Sequence, residues 1–516
     1  MISPIRNQRP PYKLPSNIIY FHDWRYVHHG SHSTGWRNAE GQWLRIWTND
    51  ERPPLIHEPN YMPTGIRLRA KPATKSEPFL LPAADEGFIW PGTVIREEGR
   101  YRLWYELFAG EHVGHEKYPI GAADYICYAE SDDGENWRFP AQGRIDRKGS
   151  KDNNIVYGLP QVEETGLHGA TVFKDESASS EERYKMIYVG HLSPAQKERY
   201  LQQRPGEVGA LNLEAEKWDG LFGAISPDGF SWTPIPDPLV AQISDTLNVC
   251  EYDPVLGKYV AYCRSHFFNR RSIGRTASAD FRRLPLSEEV FWPNAAAEPY
   301  DLWYANSKTK MPGTTDYHLM FPLRWRLIDD SFSFVLAASP DNVVWNFVPG
   351  GPVCEPGDGG TWVEGAVSAG VGLVPLPGER MGITICGSPE PHKHLRQPPH
   401  GHIAWAWWPK GRLAALEAPV EGHFRTFQLA IEQRRVHLNF KTVPGGSVKV
   451  QVMDRKYQPL PGRSFEDCDW LVGDHLDREV TWNGEADLGH QGEGPISLGF
   501  QIRCGELYSV EFKNPA

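Results

Sequence analysis

The chain has 516 residues, enough for two or three domains, and a globular composition with 40% hydrophobic and 23% charged residues. Its 54 Lys and Arg against 65 Asp and Glu give a net charge of −11, which excludes a general nucleic-acid binder because such proteins present a basic face. Seven cysteines without a C-x-x-C pair favour reduced thiols over a disulfide framework or a zinc site.

The N-terminal segment, residues 1–84, is rich in Pro and Trp and is predicted to be irregular, packing on the next domain or sealing it. It has no apolar signal region, and no window of the chain approaches 18 apolar residues, so we expect a cytoplasmic protein that does not enter a membrane. Asp23 lies in FHDWRYVHHGSHSTGW, where Gly30 and Ser31 break the histidine spacing. This favours a sugar-contacting or packing loop over a metal site.

Short strand-like runs with turn signals fill the chain from about residue 85 to residue 418. The 19 Trp, 21 Tyr and 22 Phe beside 49 Gly and 44 Pro are typical of strands joined by tight turns. The pattern S-x-D-[GN]-x-x-W recurs in ESDDGENWRFP, ISPDGFSWTPI and ASPDNVVWNFV, and ASADFRRLPL is a degenerate copy. With the strand pairs that precede them, these repeats predict five units at about 88–140, 166–235, 245–290, 301–349 and 362–416.

Five such units predict an all-β protein in which residues 85–418 form a five-bladed β-propeller that carries the catalytic site. After Ala418 polar and apolar residues alternate without the repeat. This change predicts a C-terminal β-sandwich over residues 419–516.

Polar side chains stand at the entrance of each predicted innermost strand, and these strands converge on the central channel of a propeller. In chain order the entrance residues are Asp85, Glu86 and Trp90, then His168, then Asp245 and Asn248, then Asp301 and Asn306, and finally Trp362 and Glu364. Four of the five entrances therefore bring a carboxylate, and the other brings a histidine.

Carboxylates that meet in one channel suit cleavage of a glycosidic bond, where one acid protonates the leaving oxygen and a carboxylate attacks or activates water. We expect Glu364 to be the acid, because its apolar neighbours favour the neutral form, with Asp245 as nucleophile or base and Asp301 as supporting carboxylate. The expected substrate-binding residues are Trp90, His168, Asn248, Arg264, Asn306, Arg324 and Trp362, with Asp85, Glu86, Asp23 and His394 as further candidates.

This arrangement resembles the glycoside hydrolase superfamily of invertases, levanases, arabinanases and β-xylosidases, and especially its poorly characterised members with sequences such as SDTLNVCEYDP and GRYRLWY. The chain has EYDP at residues 251–254 but lacks the W-[LM]-N-D-P-N-G, R-D-P and E-C motifs of invertases. The resemblance implies a hydrolase that removes a terminal sugar from an oligo- or polysaccharide. We expect no cofactor and no metal.

Three alternatives stay open at this point. A phosphorylase on the same fold would use Arg264 or Arg324 to hold phosphate, and a uronate-specific lyase would use His168 or a tyrosine as base. A propeller that only binds carbohydrate or protein is the third, since fold alone does not fix function. The expected partner is an oligosaccharide, with neither nucleic acid nor membrane, and an oligomer is left open.

Overall fold

The computed structural model describes residues 8, 10–29, 36–37, 43–44, 62–82, 87–109, 125–210, 218–245, 247–293, 297–358, 360–393, 401–490 and 495–515. Within these ranges the regular secondary structure is almost all strand, which confirms the predicted all-β class. The predicted positions Asp85, Glu86 and His394 lie outside the described residues.

Helical structure in the described ranges is confined to short connections. Helix α1 (Pro194–Gln203) begins with a capping box between Ser193 and Gln196, and short 3₁₀ turns cover Ser180–Glu182, Pro205–Ala210 and Thr361–Val363. No helix of the described ranges is long and apolar enough to span a bilayer.

The N-terminal strands are short: β1 (Ile18–Tyr20), β2 (Trp36–Arg37), β3 (Trp43–Leu44), β4 (Arg67–Ala70) and β5 (Thr74–Lys75). Three antiparallel sheets follow. Unit 1 contains β6 (Phe88–Glu97), β7 (Arg100–Phe108), β8 (Tyr125–Ser131), β9 (Trp137–Arg138) and β10 (Ile155–Gly158). Unit 2 contains β11 (His168–Lys174), β12 (Tyr184–His191), β13 (Asp219–Ser226) and β14 (Thr233–Pro234). Unit 3 contains β15 (Val249–Asp253), β16 (Lys258–Phe267), β17 (Arg270–Ser278) and β18 (Glu288–Phe291).

Two further units share one hydrogen-bonded network. Unit 4 contains β19 (Asp301–Ala305), β20 (Lys308–Lys310), β21 (His318–Met320), β22 (Leu323–Arg326), β23 (Ser331–Ser339) and β24 (Asn346–Cys354). Unit 5 contains β25 (Ala366–Ala369), β26 (Val374–Leu376), β27 (Arg380–Ser388) and β28 (His402–Pro409). Strand β5 supplies the edge of unit 5, because Thr74 and Lys75 pair with Trp407 and Ala406 of β28.

The first strands of the five units follow one another in a ring. The hydrogen bonds between successive units are Val172 N to Thr93 Oγ1 at 3.0 Å, Asn248 N to Gly169 O at 3.0 Å, Asn306 Nδ2 to Leu247 O at 2.8 Å, Ser307 Oγ to Ala369 O at 2.9 Å, and Val371 N to Gly92 O at 2.8 Å. The last of these returns from unit 5 to unit 1, where Thr93 and Val371 form a parallel bridge. Each first strand, or the residues next to it, is thus hydrogen-bonded to that of the next unit.

The S-x-D-[GN]-x-x-W repeat makes a turn that the preceding unit packs against. In unit 2 the Asp228 carboxylate accepts from two following backbone amides, and Ser226 Oγ accepts from Gly229 N at 2.9 Å. Trp104 of unit 1 then donates to Gly229 O at 2.9 Å, and Trp405 of unit 5 donates to Gly134 O of unit 1 at 2.7 Å. Glycine is required at 229 because its φ is +82° and an added Cβ would lie 2.7 Å from the Trp104 ring.

The C-terminal residues form a six-stranded antiparallel sheet. Its strands are β29 (Ala414–Arg425), β30 (Arg435–Met453), β31 (Asp474–Glu479) and β32 (Ser497–Lys513), in the order β31-β30-β32-β29-β4, with β1 paired to β32. The N-terminal segment, expected to be irregular, therefore gives strands to this sheet and to unit 5, and β29 crosses the predicted boundary at residue 418. The β-sandwich stays a prediction.

Candidate functional site

The predicted entrance residues lie at the N-terminal end of the first strands. His168 begins β11 and Asp301 begins β19, while Asp245 lies four residues before β15 and Glu364 two residues before β25. Of these four positions, His168 and Asp245 are in direct contact. The contacts of each side chain decide which of them act together.

Asp245 lies between a histidine and an arginine. Its Oδ1 atom is 3.4 Å from His168 Nε2, and its Oδ2 atom accepts a hydrogen bond from Arg264 Nη1. The Arg264 side chain is only 2% exposed, whereas the Asp245 side chain is 45% exposed. Asp245 therefore presents a fixed carboxylate to solvent.

His168 is held from behind by Glu106 of β7. The Glu106 side chain is 1% exposed, its Oε2 atom lies 3.3 Å from His168 Nδ1, and its Oε1 atom accepts from Ala170 N. Sequence reasoning missed Glu106, although a lone acidic residue in the apolar run RYRLWYELF was a visible signal. The predicted group of His168, Asp245 and Arg264 thus gains a second, buried carboxylate.

The charges in this group fix its protonation. Burial disfavours the imidazolium, but the carboxylates of Asp245 and Glu106 outweigh it and raise the pKa of His168 to about 9. Burial likewise acts to raise the pKa of Asp245, but His168 and Arg264 hold it well below its usual range. At neutral pH His168 is therefore a cation and Asp245 is ionised. Such a carboxylate is a weak base, suited to attack or to stabilise positive charge.

Two arginines extend the site toward unit 4. The Cζ atoms of Arg264 and Arg271 lie 4.5 and 4.7 Å from the centroid of the Tyr304 ring, and Arg271 Cζ lies 5.0 Å from that of Trp325. Arg271 pairs in register with His266 across β16 and β17, so the side chains of Arg264, His266 and Arg271 share one face of this hairpin. That face looks toward Tyr304.

Asn248 and Asn306 hold neighbouring strands together. Both are buried, and Asn248 accepts from Ser244 Oγ while lying beside Gly169 of unit 2. Asn306 Nδ2 donates to the backbone oxygens of Leu247 at 2.8 Å and of Tyr262 at 3.3 Å. These amides join units of the ring, and burial leaves neither exposed to a sugar, contrary to the sequence-based expectation.

The other two predicted catalytic carboxylates are placed differently from Asp245. Asp301 is 7% exposed and shares a strand face with Trp303, opposite to Tyr304. Glu364 ends the 3₁₀ turn Thr361–Val363 and is exposed, so its expected burial in an apolar strand is wrong. Among the described residues neither forms a hydrogen bond or ion pair with Asp245, and their catalytic roles stay predictions.

Two predicted sugar-stacking tryptophans are packed against the protein. Trp362 is 8% exposed and covers Gly387, where an added Cβ would lie 2.3 Å from the indole. Trp90 is half-buried, with its ring 5.7 Å from that of Phe88. The geometry favours packing roles for these rings.

Two further predicted residues are engaged by neighbours. Arg324 donates to Ser333 Oγ at 3.2 Å and lies 3.8 Å from Glu355, so it is not free to hold phosphate. Asp23 accepts from Arg25 N at 2.9 Å. Of the two readings of the Asp23 loop, the packing role is the one its contacts support.

A second polar cluster lies between units 3 and 4. Glu251, Asp253 and His318 place potential ligand atoms within 4.8 Å of one another. Lys308 Nζ pairs with Glu251, and Asn342 Nδ2 donates to Glu251 and to Asp253 at 2.9 Å. Because the buried ammonium already supplies a cation, we describe this cluster as an ion-pair network.

Comparison with known proteins gives likenesses of fold. No protein-family model matches the chain, and no curated protein matches it. It is similar to a fructofuranosidase variant from Schwanniomyces occidentalis complexed with fructosylnystose (10% identity, 86% of this chain, 100% of that chain, TM-score 0.38). It is also similar to an endo-arabinase from Bacteroides thetaiotaomicron (11%, 64% and 96%, TM-score 0.36) and an N-acetylgalactosamine deacetylase from F. plautii (11%, 66% and 94%, TM-score 0.41).

Two of these three structures, the fructofuranosidase and the endo-arabinase, are likenesses at 10–11% identity with TM-scores below 0.5, so they assign no activity to this chain. The third is a deacetylase, and one fold serves many reactions. The role of this chain therefore follows only from its own residues.

Proposed function

We propose that the protein is a glycoside hydrolase that removes a terminal sugar from an oligo- or polysaccharide, with Asp245 as the reacting carboxylate. The observation that carries this proposal is the half-exposed Asp245, held ionised between His168 and Arg264. A fixed anion at that position stabilises, or bonds to, an anomeric carbon that becomes positively charged as the glycosidic bond breaks.

We infer a five-bladed propeller as the frame of this site. Support comes from five strand groups whose first strands are hydrogen-bonded in a closed order, the last to the first. The sequence-based roles of Glu364 as the acid for the leaving oxygen and of Asp301 as its support are kept as proposals, although Glu364 is exposed and lacks the apolar surroundings that first suggested its role. The C-terminal sheet is proposed to belong to a β-sandwich that stands beside this frame.

The contacts of the site argue against a lyase that uses His168 as base and against a phosphorylase that uses Arg264 or Arg324 to hold phosphate. His168 is already protonated at neutral pH, so it does not supply the base that a lyase needs, and a tyrosine base stays an alternative. Arg264 is occupied by Asp245, and Arg324 is engaged by Ser333 and Glu355, so neither is free for phosphate in a phosphorylase. Hydrolysis makes the best use of an ionised, oriented Asp245.

The test is Asp245→Asn, assayed on a panel of aryl glycosides and plant and algal oligosaccharides. We expect turnover to fall about 100- to 10,000-fold with binding of the substrate retained, because the amide keeps the shape but not the charge. The matched control is Asp237→Asn, since Asp237 is also an arginine-paired aspartate and is 44% exposed. Wild-type turnover in Asp245→Asn would show that Asp245 is not the reacting group.

A further inference from the structure

Among the residues that the structure describes, three cations and one further carboxylate surround Asp245. His168, Arg264 and Arg271 are cations, and Glu106 and Asp245 are the carboxylates that contact the first two. Within the described ranges no carboxylate lies within ion-pair distance of Arg271. Among the described residues, the Arg271 guanidinium therefore has only the more distant Asp245 carboxylate as a neighbouring opposite charge, and it makes no ion pair of its own.

Arg271 is held in place for a ligand. Its guanidinium is fixed beside the rings of Tyr304 and Trp325, and the side chain is half-buried. Its Nη1 atom is buried without a hydrogen-bond acceptor in the part of the chain that the structure describes. Burial and then the neighbouring charge of Arg264 lower the pKa of Arg271 although Tyr304 and Asp245 act in the opposite direction, and a bound anion would add to that opposing effect.

We propose that Arg271 binds an oxyanion next to Asp245, a proposal that rests on the function inferred above and names the substrate class. The planar guanidinium offers two parallel N–H donors, which match a carboxylate or a phosphate but not a single hydroxyl. The substrate is then an acidic sugar, carrying a uronate carboxylate or a phosphate ester at the ring that Asp245 attacks.

The oxyanion at Arg271 has a second possible source, free inorganic phosphate. Its use would make the reaction a phosphorolysis. In that case the glycosidic bond breaks, phosphate oxygen bonds to the anomeric carbon, and the proton from the acid goes to the leaving oxygen. If the oxyanion instead belongs to the substrate, water takes the place of phosphate and the reaction is a hydrolysis. The binding probes below separate these two sources.

The experiment measures binding by calorimetry at low ionic strength, where charged contacts are least screened. The probes are glucuronate against glucose, galacturonate against galactose, glucose 6-phosphate, and inorganic phosphate. We expect at least one oxyanion to bind about tenfold or more tightly than its neutral counterpart, the weight of a charge-assisted hydrogen bond. Arg271→Gln should abolish that preference, and Arg271→Lys should keep part of it.

The matched control is Arg326→Gln, which removes a guanidinium from unit 4 that pairs with Asp329 at 3.4 Å. It should bind the probes as the wild type does, and thermal melts of all three variants report folding. No preference for any oxyanion in the wild type, or an equal preference in Arg271→Gln, overturns the proposal. Tight oxyanion binding without any glycoside turnover would support the Arg271 site and refute the hydrolase. Turnover of neutral glycosides alone would support the hydrolase and refute the Arg271 site.

Discussion

Replacing Glu106 by glutamine tests whether the buried carboxylate keeps His168 protonated. The substitution keeps the shape, and an amide oxygen can still accept from Ala170 N, but the negative charge behind Nδ1 of His168 is lost. The pKa of His168 should therefore fall from about 9 toward its ordinary 6.5. Loss of one neighbouring opposite charge accounts for a fall of about 1 to 3 in the pKa of His168.

The raised pKa of His168 also contributes to the free energy of unfolding. A change from 6.5 to about 9 corresponds to about 3 kcal/mol in favour of the folded state. Because the folded pKa is raised above the unfolded one, this contribution is complete below pH 6.5 and is lost as the pH rises through 9. Glu106→Gln should therefore destabilise the protein most at pH 6 and least above pH 9.

Two measurements check this prediction. Histidines labelled with ¹³C at Cε1 are titrated by NMR, with the His168 resonance assigned by its absence in His168→Gln, and urea unfolding is followed at several pH values. Glu130→Gln is the control, because Glu130 lies on the adjacent strand β8 and pairs with Arg100. The explanation fails if wild-type His168 titrates near 6.5, or if the destabilisation by Glu106→Gln does not change between pH 6 and pH 9.5.

Two packing predictions complete the set. Gly387→Ala should cost about 1–3 kcal/mol of unfolding free energy, because the new methyl meets Trp362, while Gly206→Ala, with nothing within 4 Å, should be near neutral in the same urea titration. Asn306→Ala should cost about 1–3 kcal/mol by leaving the Leu247 carbonyl unpaired, and an unchanged melting temperature would contradict its role in joining units 3 and 4.

Two glutamates show what the sequence could and could not predict. Glu106 and Glu364 both stand in apolar runs, yet one is buried in β7 and the other is exposed after a 3₁₀ turn. The 3₁₀ turn before Glu364 follows Gly360, whose φ of +87° breaks the strand conformation. The hydrophobic pattern carries no sign of this backbone conformation, so it cannot tell the turn from a strand. The all-β class and the turn repeats were predictable because their signals are local.

The contacts between the residues of the site were harder to predict than which residues belong to it. His168, Asp245 and Arg264 were each proposed from their positions, but their mutual contacts depend on how units 2 and 3 face each other. Arg271 carried no signal of its own, since it lies in the hairpin sequence NRRSIGR together with two other arginines. Only the register of β16 and β17 places it on the same face as Arg264.

The edge strand β5 has a consequence for how the chain reaches its native state. It pairs with β28, and the nearby Trp408 indole donates to Lys71 O across 337 residues of sequence. At about 5–20 residues per second, Lys71 leaves the ribosome roughly 15 to 70 s before Trp408 is made. During synthesis units 1 to 4 have time to form, while the early segment waits without its partner. Completion of unit 5 is therefore a late step, because β5 cannot pair before β28 has been made, and it has the slow closure typical of contacts between distant parts of a chain.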